Sequence, residues 1–347
     1  MADIREMADI RKDVDDLRFH NVHPSARFGT ASDRYGGWVG QIYPEDRYAT
    51  KISERKRRLG GQQYTERRVP ISSVTDYFEH FGVLELDFTF YRPLLEADGS
   101  PSNNYGVLQN YLDHAPEDAL FLLKAPQQHF ARTLRRGGNY VDNEDFLNLD
   151  AYLRTFHEPA FELTGDRLAG IIFQQEYQRV RDSPSSNENV AALDTFFDGV
   201  DGAQCHIELR SEHMLDETYF DWLDERGIGH VFSHWTWLPM IRDQWRMSGE
   251  RLTAENNEVV ARLLTPRDVK YADAYAAAYP FDKPVADIAD TPGARDMVLD
   301  TTALVYRAEA QNALVNVIAN NRAWGNAPDL ARTISHRILD EEAKRPG

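Results

Sequence analysis

The chain has 347 residues and carries 39 Lys plus Arg against 56 Asp plus Glu, a formal charge of −17. That balance argues against a protein that wraps duplex DNA or lies on an anionic membrane, because such surfaces need an excess of cations. Hydrophobic residues make up 42% and charged residues 27%, an ordinary globular composition whose length admits two domains or one closed α/β barrel with insertions.

Cys205 is the only cysteine. An intramolecular disulfide, a Cys-based zinc knuckle and an iron–sulfur cluster are therefore excluded, and a reducing, cytoplasmic setting is expected. No run approaches the roughly 20 apolar residues of a membrane helix. The opening MADIREMADIRKDVDD repeats itself from Met7 and is too acidic for a presequence. Residues 1–22 are expected to form a disordered tail outside the fold, with a second tail at 341–347.

From there on, short apolar runs alternate with stretches of helical spacing, the pattern of a parallel sheet. The predicted strands are RFGTA (27–31), VLELDFTFY (83–91), ALFLLKA (119–125), LAGIIFQ (168–174), CHIELR (205–210), GHVFSHW (229–235), VVARLL (259–264) and ALVNVIAN (313–320). Helices are predicted over 72–81, 148–163, 187–197, 216–225 and 327–339. Eight strands with intervening helices point to an α/β (β/α)8 TIM-type barrel over residues 23–340.

Two stretches break the rhythm. Residues 51–68 hold seven basic residues against two acidic ones around Gly60-Gly61, and residues 269–302 carry Tyr271, Tyr275 and Tyr279 at helical spacing. Both are expected to be insertions, the first an exposed excursion.

A parallel barrel builds its site at the C-terminal ends of its strands. In the second strand, alternation puts Glu85, Asp87, Thr89 and Tyr91 on one face. Lys124 ends the third strand, where it can hold an anion, pair with a carboxylate, act as base or form a Schiff base. Gln174 ends the fourth. His206, Glu208 and Arg210 share a face of the fifth, and Asn316 and Asn320 a face of the eighth, with Asn321 beside them. Carboxylates, cations and amides thus converge on a polar pocket, or else form an ion-pair network that only closes the barrel.

There is no P-loop, no G-x-G-x-x-G after a strand, no HExxH and no G-x-S-x-G. A divalent-metal site could be assembled from His129, His157, His206, His213, His230 and His234, but their spacing gives no specific support. No cofactor is expected.

The stretch LELDFTFYRPL (84–94) resembles the VEINSTFYRLP signature of the YecE-like family, domain of unknown function 72. ALFLLKAPQQHF (119–130), IIFQ (171–174), IELR (207–210) and ANN (319–321) are similar to that family's FAVKAP, LFQLP, VEFR and FNN in the same order. RFGTAS with Trp38 and Tyr43-Pro44 is similar to its GTSGW start and later YP. The resemblance spans about residues 27–339. It implies a TIM-type barrel with Glu85, Tyr91, Lys124, Gln174, Glu208, Arg210 and Asn320 around a pocket, and no reaction. The chain departs from the pattern after Gln174, after Arg210, at Asp33, and at Arg262-Leu263-Leu264, where no His-Gly follows.

The leading expectation is an enzyme, a hydrolase or an acid/base lyase or isomerase, on a small polar or anionic molecule. Glu85, Lys124 and Glu208 are its candidate catalytic groups, and Thr89, Tyr91, Gln174, Arg210, Asn320 and Asn321 its substrate-binding groups. The alternatives are a non-catalytic metabolite binder in the same pocket, or a nucleic-acid-processing protein using the basic 51–68 stretch, against which the total charge argues.

Overall fold

In a computed structural model, residues 4–137 and 139–345 are described. Eight parallel strands close into a barrel: β1 (Ala26–Ala31), β2 (Val83–Leu86), β3 (Leu120–Lys124), β4 (Leu168–Gln174), β5 (Cys205–Glu208), β6 (Gly229–His234), β7 (Glu258–Leu263) and β8 (Leu314–Ala319). Each strand pairs with its neighbours in sequence, and β8 closes on β1. This is the TIM-type architecture expected from the sequence.

Alternation along the strands explains why the barrel is filled rather than hollow. Outward residues such as Phe28, Leu84, Phe121, Phe173, Ile207 and Val317 belong to one large core under the helices. Inward residues Ala31, Val83, Leu122, Ile172, Val231, Val260 and Ile318 pack against each other in the lumen. Below them, at the strand starts, Arg27 donates to Glu258 and to Asn316 Oδ1 (3.1 Å), and Asn316 Nδ2 donates to Glu258 Oε2 (2.8 Å). Asn316 therefore closes the floor and lies away from the pocket. His206 also lies in this lower layer. A Cβ on Gly170 would come within 2.8 Å of its ring and one on Gly229 within 2.2 Å, so two glycines make its space.

The β2 prediction ran too long. The strand ends at Leu86, and Asp87–Phe90 is a 3-10 turn. There the Thr89 hydroxyl accepts from Lys124 N–H (3.0 Å) and donates to the Lys124 carbonyl (2.8 Å), so a side chain replaces the next ladder pair.

Three domain expectations are corrected. Residues 4–22 are not a disordered tail outside the fold: Ile4–Asp15 is a helix, α1. Its Met7, Ile10 and Val14 stripe packs on the core, and Phe19 is fully buried against Phe28 and Phe81. At the other end the last helix, Ala327–Glu342, runs beyond residue 340. Residues 1–3 and 346–347 lie outside the described residues. The 269–302 insertion is shorter than expected, because Pro292–Ala310 is the barrel helix that leads into β8. Within residues 51–68, Ser53–Leu59 pairs with Gln62–Arg68 in a hairpin that is largely exposed apart from the buried Tyr64. A second hairpin, Thr133–Arg136 with Asn139–Asp142, follows β3.

Candidate functional site

The mouth of the barrel opens into a cavity of about 1020 Å³ lined by Glu85, Lys124, Gln174, Arg210, Arg262 and Asn320. Alternation delivers each of these groups inward at the end of its strand or just past it. Glu208 lies immediately beneath, fully buried.

Arg262, the last inward residue of β7, organises the cluster. Its Nε and NH2 donate to the two oxygens of Glu85, both at 2.7 Å, and its NH1 donates to Glu208 Oε2 at 2.5 Å. The other Glu208 oxygen accepts from Ser233 Oγ (2.8 Å) and from Arg210 Nε and NH2 (3.3 Å each). Burial by itself would raise Glu208, but Arg210, Arg262 and Lys124 outweigh it and hold the group down at about 2. Burial also disfavours the Arg262 cation, and Glu208 with Glu85 more than restores it.

Lys124 is treated differently. It makes no ion pair among the described residues; Nζ donates to Gln174 Oε1 and sits 4.2 Å from the centre of the Phe90 ring. Burial, reinforced by Arg262 and Arg210 against the pull of Glu85 and Glu208, draws its amine down to about 7. The charges of the buried Glu85, Glu208 and Arg262 and of the half-buried Arg210 already cancel. A protonated Lys124 is thus an excess positive charge at the mouth.

The predicted site residues sort themselves accordingly. Glu85, Lys124, Gln174, Glu208, Arg210 and Asn320 come together. Tyr91 stands on the rim, 66% exposed. Thr89 is buried and engaged in holding the Lys124 backbone, so it is a positioning residue and not a substrate contact. Asn320 accepts from the Arg322 N–H (3.0 Å), and Asn321 Oδ1 accepts from Trp38 Nε1 (3.2 Å) and from Ala327 N–H (2.8 Å), which ties it to structure outside the mouth.

An acid/base role for both carboxylates meets a physical obstacle. Glu208 keeps no proton to give, and both oxygens of each group are engaged by Arg262 or its neighbours. Arg262 itself escaped the sequence reading. The signal was present: alternation from Val260 places an arginine inward at the end of an otherwise apolar strand.

The histidines are dispersed. His206 lies on the floor, His230 bonds with Tyr219 and Gln244, and His234 with the Thr265 carbonyl. Among the described residues no group of three His, Cys, Asp or Glu is placed to hold a metal ion. Nor is any described helix long and apolar enough to cross a membrane.

Comparison with known proteins places this geometry in a family. Among curated proteins no sequence matches. The fold is similar to that of a DUF72 family protein from Thermotoga maritima, at 17% identity and a TM-score of 0.50, covering 91% of this chain and 99% of that one. It is also similar to a DUF72 family protein from Enterococcus faecalis, at 17% identity and a TM-score of 0.55, covering 91% and 95%. A family model described as "Protein of unknown function DUF72" matches residues 27–346. With nearly the whole barrel inside that match, the chain belongs to the DUF72 family.

Proposed function

We propose that the barrel mouth is the active site of a proton-transfer enzyme, a lyase or isomerase, that acts on a small anionic carbonyl compound. The observation that carries this reading is Lys124: a buried amine at the mouth, paired with no carboxylate among the described residues and drawn down to about 7. An amine that is neutral near its working pH can take a proton from carbon.

In this reading the substrate anion sits against Arg210, which is stacked 5.0 Å from the Trp235 ring centre. The C–H proton beside the carbonyl moves to Lys124 Nζ, the C–H electron pair passes into the enolate, and the arginines stabilise the charge left on its oxygen. Glu85 and Glu208 act as positioning residues, fixing the Arg262 fork from two sides. Hydrolysis by the paired carboxylates, expected from the sequence, is not retained, because both oxygens of each carboxylate are already engaged by hydrogen-bond donors.

The test is deuterium exchange in D2O, followed by proton NMR over a panel of 2-oxo and 2-hydroxy carboxylates and phosphorylated ketoses. Loss of a C–H signal with the parent protein, absent with Lys124→Met, supports the reading. Binding of panel members without any exchange would make the protein a metabolite binder and overturn it.

A further inference from the structure

Beside the barrel mouth lies a second cavity of about 990 Å³, and the two share Asp87, Tyr91, Asn320 and Arg322. One of its walls is the basic hairpin. We propose that this second cavity is an anion subsite for a polyvalent phosphoryl group on the far end of the molecule whose other end meets Lys124. The claim that one molecule spans both cavities rests on the function proposed above; the claim that the cavity binds phosphate does not.

Charge is the first support. Arg55, Lys56, Arg58, Arg67 and Arg322 line the cavity, and none has a carboxylate partner among the described residues. Of the hairpin's two acids, Glu54 and Glu66, only Glu66 lines the cavity, and it is already held by Arg57 (2.8 Å), Arg68 (2.8 Å) and the Tyr275 hydroxyl (3.0 Å); Asp33, Asp87 and Asp282 line the cavity outside the hairpin. In a chain of net charge −17, an uncompensated basic wall on a concave surface is out of keeping with the average surface.

Rigidity is the second. A solvated charge run has no need of an anchor, yet this hairpin has one. Tyr64 is buried, with its ring 4.9 Å from Tyr275 and 5.3 Å from Tyr279, and the Tyr279 hydroxyl donates to the Thr65 carbonyl at 2.7 Å. Arg322 is steadied from the other side, 4.3 Å from the Tyr271 ring centre. The anchor fixes the hairpin backbone, so the strands that carry these exposed cations need not be ordered when an anion arrives.

A long nucleic-acid strand is the less favoured occupant, since it would also have to lie along the rest of an acidic surface.

The experiment is calorimetric titration with inorganic tripolyphosphate at low salt, on the parent chain, Arg58→Glu/Arg67→Glu and Lys124→Met. The expected result is binding to the parent, a loss of at least about tenfold in the double variant at unchanged melting temperature, and unchanged affinity in Lys124→Met. If charge reversal lowers the melting temperature, Arg58→Gln/Arg67→Gln is read in its place. Equal binding by the hairpin variant, no binding by the parent, or loss of binding in Lys124→Met overturns the subsite. Tighter binding of an oligothymidylate than of tripolyphosphate overturns it in favour of a nucleic-acid surface. Failure of the exchange assay with tripolyphosphate binding intact removes the proposed reaction and leaves the subsite standing.

Discussion

Arg262 on β7 grips Glu85 on β2 through two parallel hydrogen bonds of 2.7 Å across the lumen, with neither side chain more than 4% exposed. A pair this buried is poor evidence for net stability, but removal of one partner leaves the other uncompensated. Arg262→Met strands Glu85 and half of Glu208. It is expected to destabilise the protein by at least about 3 to 5 kcal/mol at pH 7. Protonation relieves a carboxylate that is buried without its cation, so the deficit should shrink as pH falls. Urea denaturation of parent and variant at pH 5 and pH 7.5 checks both the size and the sign.

Lys124→Met should behave in the opposite way. In the folded protein the amine is drawn down to about 7, against about 10.4 in an unfolded chain. Between those values the unfolded state binds more protons, so this group makes stability rise with pH from about 7 to about 10, with its full penalty below 7. The methionine variant lacks the penalty. It is expected to exceed the parent by about 2 kcal/mol or more at pH 6, the gap closing towards pH 10. Parallel urea curves across that range measure it. A loss of several kcal/mol at pH 6 would instead make Lys124 a member of the ion-pair network.

Four histidines set the acid limit of the fold. His129, His206, His230 and His234 are buried and, chiefly through that burial, held at about 4. Below about 6.5 the unfolded chain takes up protons that the folded one refuses, so stability falls as pH drops from about 6.5 to about 4. The slope is up to about 1.4 kcal/mol per pH unit for each histidine. Chemical denaturation at several pH values in that window should show it, and His234→Gln should reduce the slope by about one proton.

The N-terminal segment, just past α1, offers a stability test of its own. Phe19 fills a site between Phe28 of β1 and Phe81, at ring-centre distances of 5.8 and 5.0 Å, and its backbone N–H donates to the His80 carbonyl. Phe19→Ala is expected to cost about 3 to 5 kcal/mol. Thermal melting beside the parent would show it, and an unchanged melting temperature would return residues 1–22 to the status of a tail.

What could be read from the sequence was local and periodic. Alternation of period two marks Leu84 from Glu85 and Val260 from Arg262 within a few residues, so the strands, their inward faces and the charges at their ends were legible. The closure into a barrel followed from their number and the helices between them. Partnership was not legible. Arg262 meets Glu85 over 177 positions of sequence and Glu208 over 54, and only the closed sheet decides which carboxylates share one guanidinium and which amine is left without any. The end of β2 was hidden for the same reason, since Thr89 turns the chain by satisfying the backbone of Lys124 on another strand. So was the docking of α1, whose apolar stripe of Met7, Ile10 and Val14 is visible in the sequence but acquires a place only when the barrel it covers exists. Periodicity reports which way a side chain points, whereas the free energy of a buried charge depends on what stands opposite it, and that is settled by the tertiary fold.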